Sequence, residues 1–370
     1  MNEAGCASVD AIERQIAIIL VAWGMPRDLA ADAARVMSAT DLSGIDSHGL
    51  QVMPMYDQMR KEGKLRLAAV PGVVTDRASM AVIDAGGSLG HPAGVKAMRL
   101  AMEKARGAGI AAVCVVNSHH YGAAGYYAQM AAEEGLIGLS TTSTRFVSMV
   151  PTFGGAPVLS TNPLAFAAPA GRNPPVVLDM ATSVVAIQKI KVYARRGKPL
   201  PEGWVVDGHG RPVTDAEEAL RYILERPEGG VLPLGGTREM GGHKGYGLAL
   251  MVHILASTLV GGSFSPVRNR TQAPSDPENI GHFFMAIDPA VFRPLADFGR
   301  DMDEVIDTLH ATQPAEPGQP VLVPGDPERE ARAQRRLTGI PVDASLRAEI
   351  RAIAAAAGVD YVLDTVGGTA

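Results

Sequence analysis

Four short stretches carry chemically capable side chains where the surrounding pattern does not require them. In VVNSHHYGAAGYYAQMAAEEG, residues 115–135, His119 and His120 stand between a β-branched run and a Gly/Ala-rich helical pattern. The positive end of a helix dipole lowers a nearby histidine's pKa from about 6.5, and a neutral imidazole can then take or give a proton. IDSHGLQVMPMY offers a hydroxyl, an imidazole and a phenol close together at Ser47, His48 and Tyr56. STNPLAF and LDMATS set Thr161 with Asn162, and Asp179 with Thr182, after β-rich runs. Such strand ends are where ligand sites collect in α/β sheets. GGHKGYG places Lys244 among glycines at a helix start, a composition that suits a phosphate. Each stretch alone also fits a hydrogen-bonded turn, a helix cap or a solvated lysine. All four at element boundaries favour a site for a phosphate-bearing cofactor and a small polar substrate.

The elements that must hold them follow from periodicity. MAVIDA, GIAAVCVVN, LIGLSTTS, PVLSTNPLAFAAP and PVVLDMA read as strands, with AGVKAMRLAMEKARGAG and GAAGYYAQMAAEEG as helices between them. This alternation predicts an α/β core with some parallel pairing. Two helices are predicted in the first 45 residues, with Asp10 and Glu13 at capping-box spacing and Asp28 capping the second. Further helices are predicted over 183–197, 215–226, 244–260, 294–311, 327–338 and 343–357. SPVRNRTQAPSDPENIG, 265–281, reads as a mobile surface loop.

Composition bounds the function. The chain has 370 residues, a net charge of −5 and no Lys/Arg-dense region, which argues against nucleic-acid binding. Its two cysteines, Cys6 and Cys114, have no CxxC partner, so neither a disulfide framework nor a zinc knuckle is expected. The N-terminus lacks a secretory pattern, and GLALMVHILASTLVGG is short for a membrane span and interrupted by His253. A cytoplasmic protein with no membrane partner is expected. GxGxxG after a strand, GxxxxGK[ST] and HExxH are all absent, so an enzyme here needs a less common scaffold.

Taken together and in order, GIDSHG, HHYGAAGYYAQMAAEEGLIGLS, STNPLAFAAPA, LDMATS, GKPLPEGWVVDGHGRPVTDA, LPLGG, GGHKGYGLALMVHIL, NIGHFFMAID and GIPVDASL resemble the malate/L-lactate dehydrogenase family. These are NAD(P)-dependent oxidoreductases without a Rossmann fold, and the resemblance spans nearly the whole chain. It implies an α/β (α+β) fold: a large, mostly antiparallel mixed sheet with flanking helices and a non-Rossmann cofactor site. A helical region from both chain ends, 1–78 with 300–370, would pack beside the sheet-based part, 79–299. It further implies a homodimer, NAD or NADP as cofactor, and no metal. In the pattern NS-x-H-[FY]-G the catalytic histidine falls on His120, with His119 structural. Ser47, His48 and Tyr56 match the substrate-side loop. Thr161, Asp179, Ala181, His243, Lys244 and Gly245 match cofactor contacts, and Arg332, Arg335 and Arg336 would meet the adenosine end.

The chain departs from the pattern at Val52, where an arginine usually forks a substrate carboxylate. Arg145 is the expected substitute. The expected reaction is hydride transfer between NAD(P) and a small 2-hydroxy or 2-keto acid. The alternatives are reduction of a cyclic imino acid or another substrate, or cofactor binding without turnover. A metal-dependent hydrolase using His119 and His120 lacks carboxylates at ligand spacing. His253 also stands where an acid is expected.

Overall fold

A computed structural model of the protein describes residues 5–271, 273 and 276–364. The chain opens with β1 (Gly5–Ala7), α1 (Val9–Ala22), α2 (Arg27–Leu42) and α3 (Met53–Lys61). Ser8, not the Asp10/Glu13 pair, caps α1, its hydroxyl accepting the Ala11 amide at 3.2 Å. Asp28 falls inside the first turn of α2, which starts after Pro26 without a side-chain cap. Pro26, at the N-cap position with φ −53°, fixes the entry angle there.

The central sheet is built from β2 (Gly72–Asp76), β3 (Met80–Asp84), β4 (Ile110–Ser118), β5 (Ile137–Thr142), β6 (Leu164–Ala168) and β7 (Val176–Met180), with α4 (Gly90–Ala108) and α5 (Ala124–Glu133) interleaved. Next come α6 (Ile187–Arg195), β8 (Val205–Val206), α7 (Ala216–Leu224) and β9 (Gly230–Val231), a small satellite packed on Ile190, Val205, Ala219 and Ile223. Then α8 (Gly242–Ala256) and α9 (Ser265–Thr271) lead into β10 (Ile280–Ile287). The chain closes with α10 (Leu295–His310), α11 (Asp326–Thr338), β11 (Ile340–Val342) and α12 (Ala344–Ala357).

The strand order is β2-β3-β4-β10-β5-β6-β7, and only the β3–β4 pair is parallel. The mostly antiparallel mixed sheet is therefore present, while parallel pairing is confined to one crossover. Period-two alternation sorts its faces. Val113, Val115 and Phe284 meet Ala93, Ala97 and Ala101 of α4 and Tyr127, Ala128 and Ala131 of α5, whereas Cys114 and Phe283 meet Ala256 of α8. Alanine on both helices lets them lie close to the sheet.

A second core joins the chain ends. Ile12, Ile16, Ile19, Met37, Met53 and Tyr56 pack with Ile350 and Ala354, and β1 pairs antiparallel with β11. The predicted loop over 265–281 is corrected: its first seven residues form α9. Pro266 suits a first helical turn, and the buried Arg268 guanidinium ties the segment down by donating to the carbonyls of Asp276 and Pro277. Gln272, Pro274 and Ser275 of that loop, and residues 1–4 and 365–370 of the expected helical region, lie outside the described residues.

Candidate active site and cofactor cleft

Strand β4 ends at Ser118, and the residues before α5 carry His119 and His120 in opposite settings. His119 is buried, which pushes its imidazole pKa down to about 4. His120 is half-buried, and its Nδ1 lies 2.5 Å from the Tyr56 hydroxyl. The His48 ring stacks on His120 with centroids 5.4 Å apart and planes inclined by 28°. Ser47 Oγ lies 2.8 Å from His48 Nδ1. The structure thus brings all four expected catalytic residues together from three segments. It adds one that the sequence did not flag, His91 in the first turn of α4, set edge-on to both Tyr56 (5.9 Å) and His120 (6.1 Å).

Burial keeps this cluster neutral. It holds His120 well below the ordinary 6.5, with repulsion from His48, His91, His282 and His119 adding to it. His48 is lowered by burial, and His91 is pushed down to about 3 by burial and then by His48. The same burial holds the Tyr56 phenol well above 10. The sequence reading ascribed a lowered histidine pKa to a helix dipole; the structure corrects the cause. The α5 N-terminus is occupied by Asp179, whose Oδ2 accepts the Gly125 amide at 2.7 Å.

The turn carrying Ser47 and His48 is hung from the α2 end. Asp41 Oδ2 accepts the Leu50 amide at 2.8 Å. A Cβ on Gly49 would stand 1.8 Å from Asp41 Oδ1, so the SHG glycine permits a close approach that no other residue allows. Burial pushes the Asp41 carboxyl up to about 8 against the lowering effect of that amide.

Beside this cluster runs a cleft of about 100 Å³ between α2, α5, β7 and α11. Asp179, Gly125, Tyr126, Arg329 and Arg332 line it, with Ala39, Ile45, Pro175 and Val177 as apolar wall. The segment before α11 is fixed to the sheet edge where the Val177 amide donates to the Pro324 carbonyl at 2.9 Å. Guanidiniums suit phosphate oxygens, a carboxyl suits ribose hydroxyls, and apolar walls suit a heteroaromatic ring, so the residues fit one end of a dinucleotide. Burial raises Asp179 to about 6, with Glu328 adding repulsion.

Of the six expected cofactor residues, Asp179 alone lines this cleft. Thr161 accepts the Thr182 amide through its carbonyl at 2.8 Å, just past Ala181, and the Leu234 amide donates to Thr182 O. Gly245 is buried against Leu234, whose carbonyl oxygen would lie 2.3 Å from an added Cβ. His243 and Lys244 are exposed in the first turn of α8. These residues form a second, backbone-linked group.

Arg145 does not present an open fork. Its Nε donates to Glu278 Oε2 at 2.5 Å and its Nη1 to Ser265 Oγ at 2.9 Å. Arg332 lines the cleft, whereas Arg335 turns away from it to Asp46, and Arg336 lines an adjoining depression with Glu133. His253 is buried, with Nδ1 2.8 Å from Ser143 Oγ. Among the described residues, no group of three or more His, Cys, Asp or Glu side chains is arranged to hold a metal ion, and no helix is long and apolar enough to cross a membrane. Sequence reasoning missed Gly125, Arg329 and His91. A usable signal existed for Arg329, which lies one turn before Arg332, and for His91, in the GHP that opens α4.

Residues 7–351 match the protein family described as malate/L-lactate dehydrogenase. The chain is 40% identical over 344 residues to a malate dehydrogenase of Pyrococcus horikoshii, covering 92% of each. It is 36% identical over 343 residues to a malate/(S)-sulfolactate dehydrogenase of Methanothermus fervidus, covering 92% of this chain and 95% of the relative. The solved malate dehydrogenase of Entamoeba histolytica superposes with a TM-score of 0.91 at 31% identity, over 97% of this chain and 99% of that one.

Proposed function

The chain belongs to the malate/L-lactate dehydrogenase family and is an NAD(P)-dependent oxidoreductase of 2-hydroxy acids; from that premise we propose that His120 is its proton-transfer group. The observation that carries this assignment is the Tyr56–His120 contact under the His48 ring.

The bound nicotinamide supplies the hydride acceptor or donor. The protein's part is to orient the carbinol and move its proton. With Nδ1 facing Tyr56, Nε2 of His120 is left for the substrate. In oxidation Nδ1–H donates to the tyrosine oxygen, and the Nε2 lone pair takes the hydroxyl proton as hydride leaves carbon. In reduction the imidazolium returns that proton to the carbonyl oxygen. His48, held by Ser47, covers the other face of the ring and orients the substrate. The α11 cleft with Asp179, Arg329 and Arg332 holds one end of the dinucleotide. Thr161, Ala181, His243, Lys244 and Gly245 serve the rest, with Lys244 neutralising pyrophosphate charge.

In this reading the protein is a cytoplasmic homodimer, with residues 1–78 and 300–370 forming one region and 79–299 the other. Supporting the dimer, α8 is apolar on its outward side as well, where Leu250, Met251 and Ile254 are exposed.

A second reading, reduction of a cyclic imino acid or another non-standard substrate, is favoured by two observations: Val52 is buried among apolar side chains, and Arg145 is held by Glu278. Fluorescence titration with NADH and then NADPH, followed by a screen of 2-keto acids and cyclic imines, tests both. Saturable binding with turnover of a 2-keto acid supports the first, and turnover confined to imines supports the second. Binding of neither nucleotide contradicts both.

A further inference from the structure

We propose that Arg335 and Asp46 form a positioning pair that fixes the Ser47–His48 turn against His120. Helix α11 presents three arginines in one stripe, at 329, 332 and 335. The first two line the cleft, and the third does not. Arg335 instead crosses to the α2 end, where Nη1 donates to the Asp41 carbonyl at 2.5 Å and the guanidinium grips both carboxylate oxygens of Asp46, one of them at 3.1 Å. One helical turn earlier, Arg332 Nε donates to Ser43 Oγ at 2.8 Å. The same helix therefore holds residues 41, 43 and 46 of one short segment.

That segment needs an external hold. Asp46–His48 is a single 3₁₀ turn with no side-chain cap of its own. Downstream it is pinned by Asp41 Oδ2 on the Leu50 amide. Upstream its tie is Arg335, and the residues between the two pins are the ones that bring Ser47 and His48 to His120. A planar bidentate fork fixes orientation as well as distance, which a point charge does not. Because α11 also walls the cleft, the helix that meets the dinucleotide is the one that sets the substrate-side turn.

The inference rests on the reading above, in which His48 faces the substrate. Its test compares wild type with Arg335→Met, Asp46→Asn, the double variant and Arg335→Lys. Reduced-dinucleotide Kd, and kcat and KM for the best 2-keto acid, are measured for each. Arg335→Met should lower kcat/KM about tenfold, mostly through KM, because small misplacements at a reacting centre are costly. The dinucleotide Kd should stay within about twofold of wild type, since Arg335 does not line the cleft; Arg335→Lys should recover part of the loss, and the double variant should match the worse single one. Wild-type KM in both single variants, or losses that simply add, would overturn the pair. Should Arg335→Met not fold, Asp46→Asn decides, because the Asp46 side chain is half-exposed. Absence of dinucleotide binding or turnover in the wild type would instead overturn the underlying reading, so the two failures are distinguishable.

Discussion

The Tyr56 hydroxyl and His120 Nδ1 lie 2.5 Å apart, although 64 residues separate them in the chain. Tyr56 belongs to the core that knits the chain ends together, and His120 follows the central strand β4. The acid–base pair is thus assembled at the seam between two cores, with His91 packed edge-on behind both rings. Both groups are buried toward their neutral forms, which suits a site that must hold a proton without keeping a charge.

The first prediction concerns pH. Burial and neighbouring histidines depress His120, so its base form persists into acid. Oxidation of the 2-hydroxy acid should therefore retain kcat/KM below pH 6, without an acid limb at the ordinary histidine value of about 6.5. The elevated Tyr56 phenol should add no alkaline limb below about pH 10. A pH profile with its acid limb at or above 6.5 would contradict this arrangement.

Gly125 supplies the second. A Cβ there would lie 2.8 Å from Asp179 Oδ2. Gly125→Ala should displace the carboxyl from the α5 N-terminus at an overpacking cost of about 1–3 kcal/mol. The Kd for the reduced dinucleotide should rise roughly tenfold, with kcat at saturation little changed. Unaltered affinity in a titration would remove Asp179 from the cofactor site.

Val52 supplies the third. It is buried at the end of the 3₁₀ turn Leu50–Val52 that leads into α3, four residues before Tyr56. Val52→Arg should raise kcat/KM for small 2-keto acids by about tenfold, the worth of a charge-assisted hydrogen bond, while lowering stability by about 1–3 kcal/mol. Unchanged relative kcat/KM across a substrate series would show that carboxylate anchoring is not what the valine removed.

Asp41 supplies the fourth, through stability. Its folded-state pKa is raised to about 8 from 3.8, so the native state holds the proton more tightly than the unfolded chain. That contribution is complete below pH 3.8 and is lost as pH rises through about 8. Relative to Asp41→Asn, wild type should lose unfolding free energy across this window at up to about 1.4 kcal/mol per pH unit. Denaturant melts at several pH values that run parallel for the two proteins would contradict a neutral buried Asp41.

Chain-local features were legible in the sequence, and long-range ones were not. HHYG after a β-branched run and SHG before a helix announced themselves by residue type, and the predicted helices over 327–338 and 343–357 match α11 and α12 to within a residue at each end. Nothing local tells Tyr56 that it meets His120, or Asp179 that it caps α5 through Gly125. Arg145 read as a free cation because its partner, Glu278, lies 133 residues downstream. Arg335 read as a cofactor contact because its partner, Asp46, lies 289 residues upstream. The cause of the low histidine pKa was misread for the same reason: burial is a tertiary property, whereas a helix start can be seen in sequence.

The central claim is that His120 transfers the proton, and the most direct measurement is turnover by His120→Ala. Reduced-nicotinamide consumption with the best 2-keto acid should fall by about 10²–10⁴, the usual worth of a positioned acid–base group. Fluorescence titration of the same variant should give a dinucleotide Kd close to wild type. Turnover near the wild-type rate, with the dinucleotide bound, would contradict the assignment.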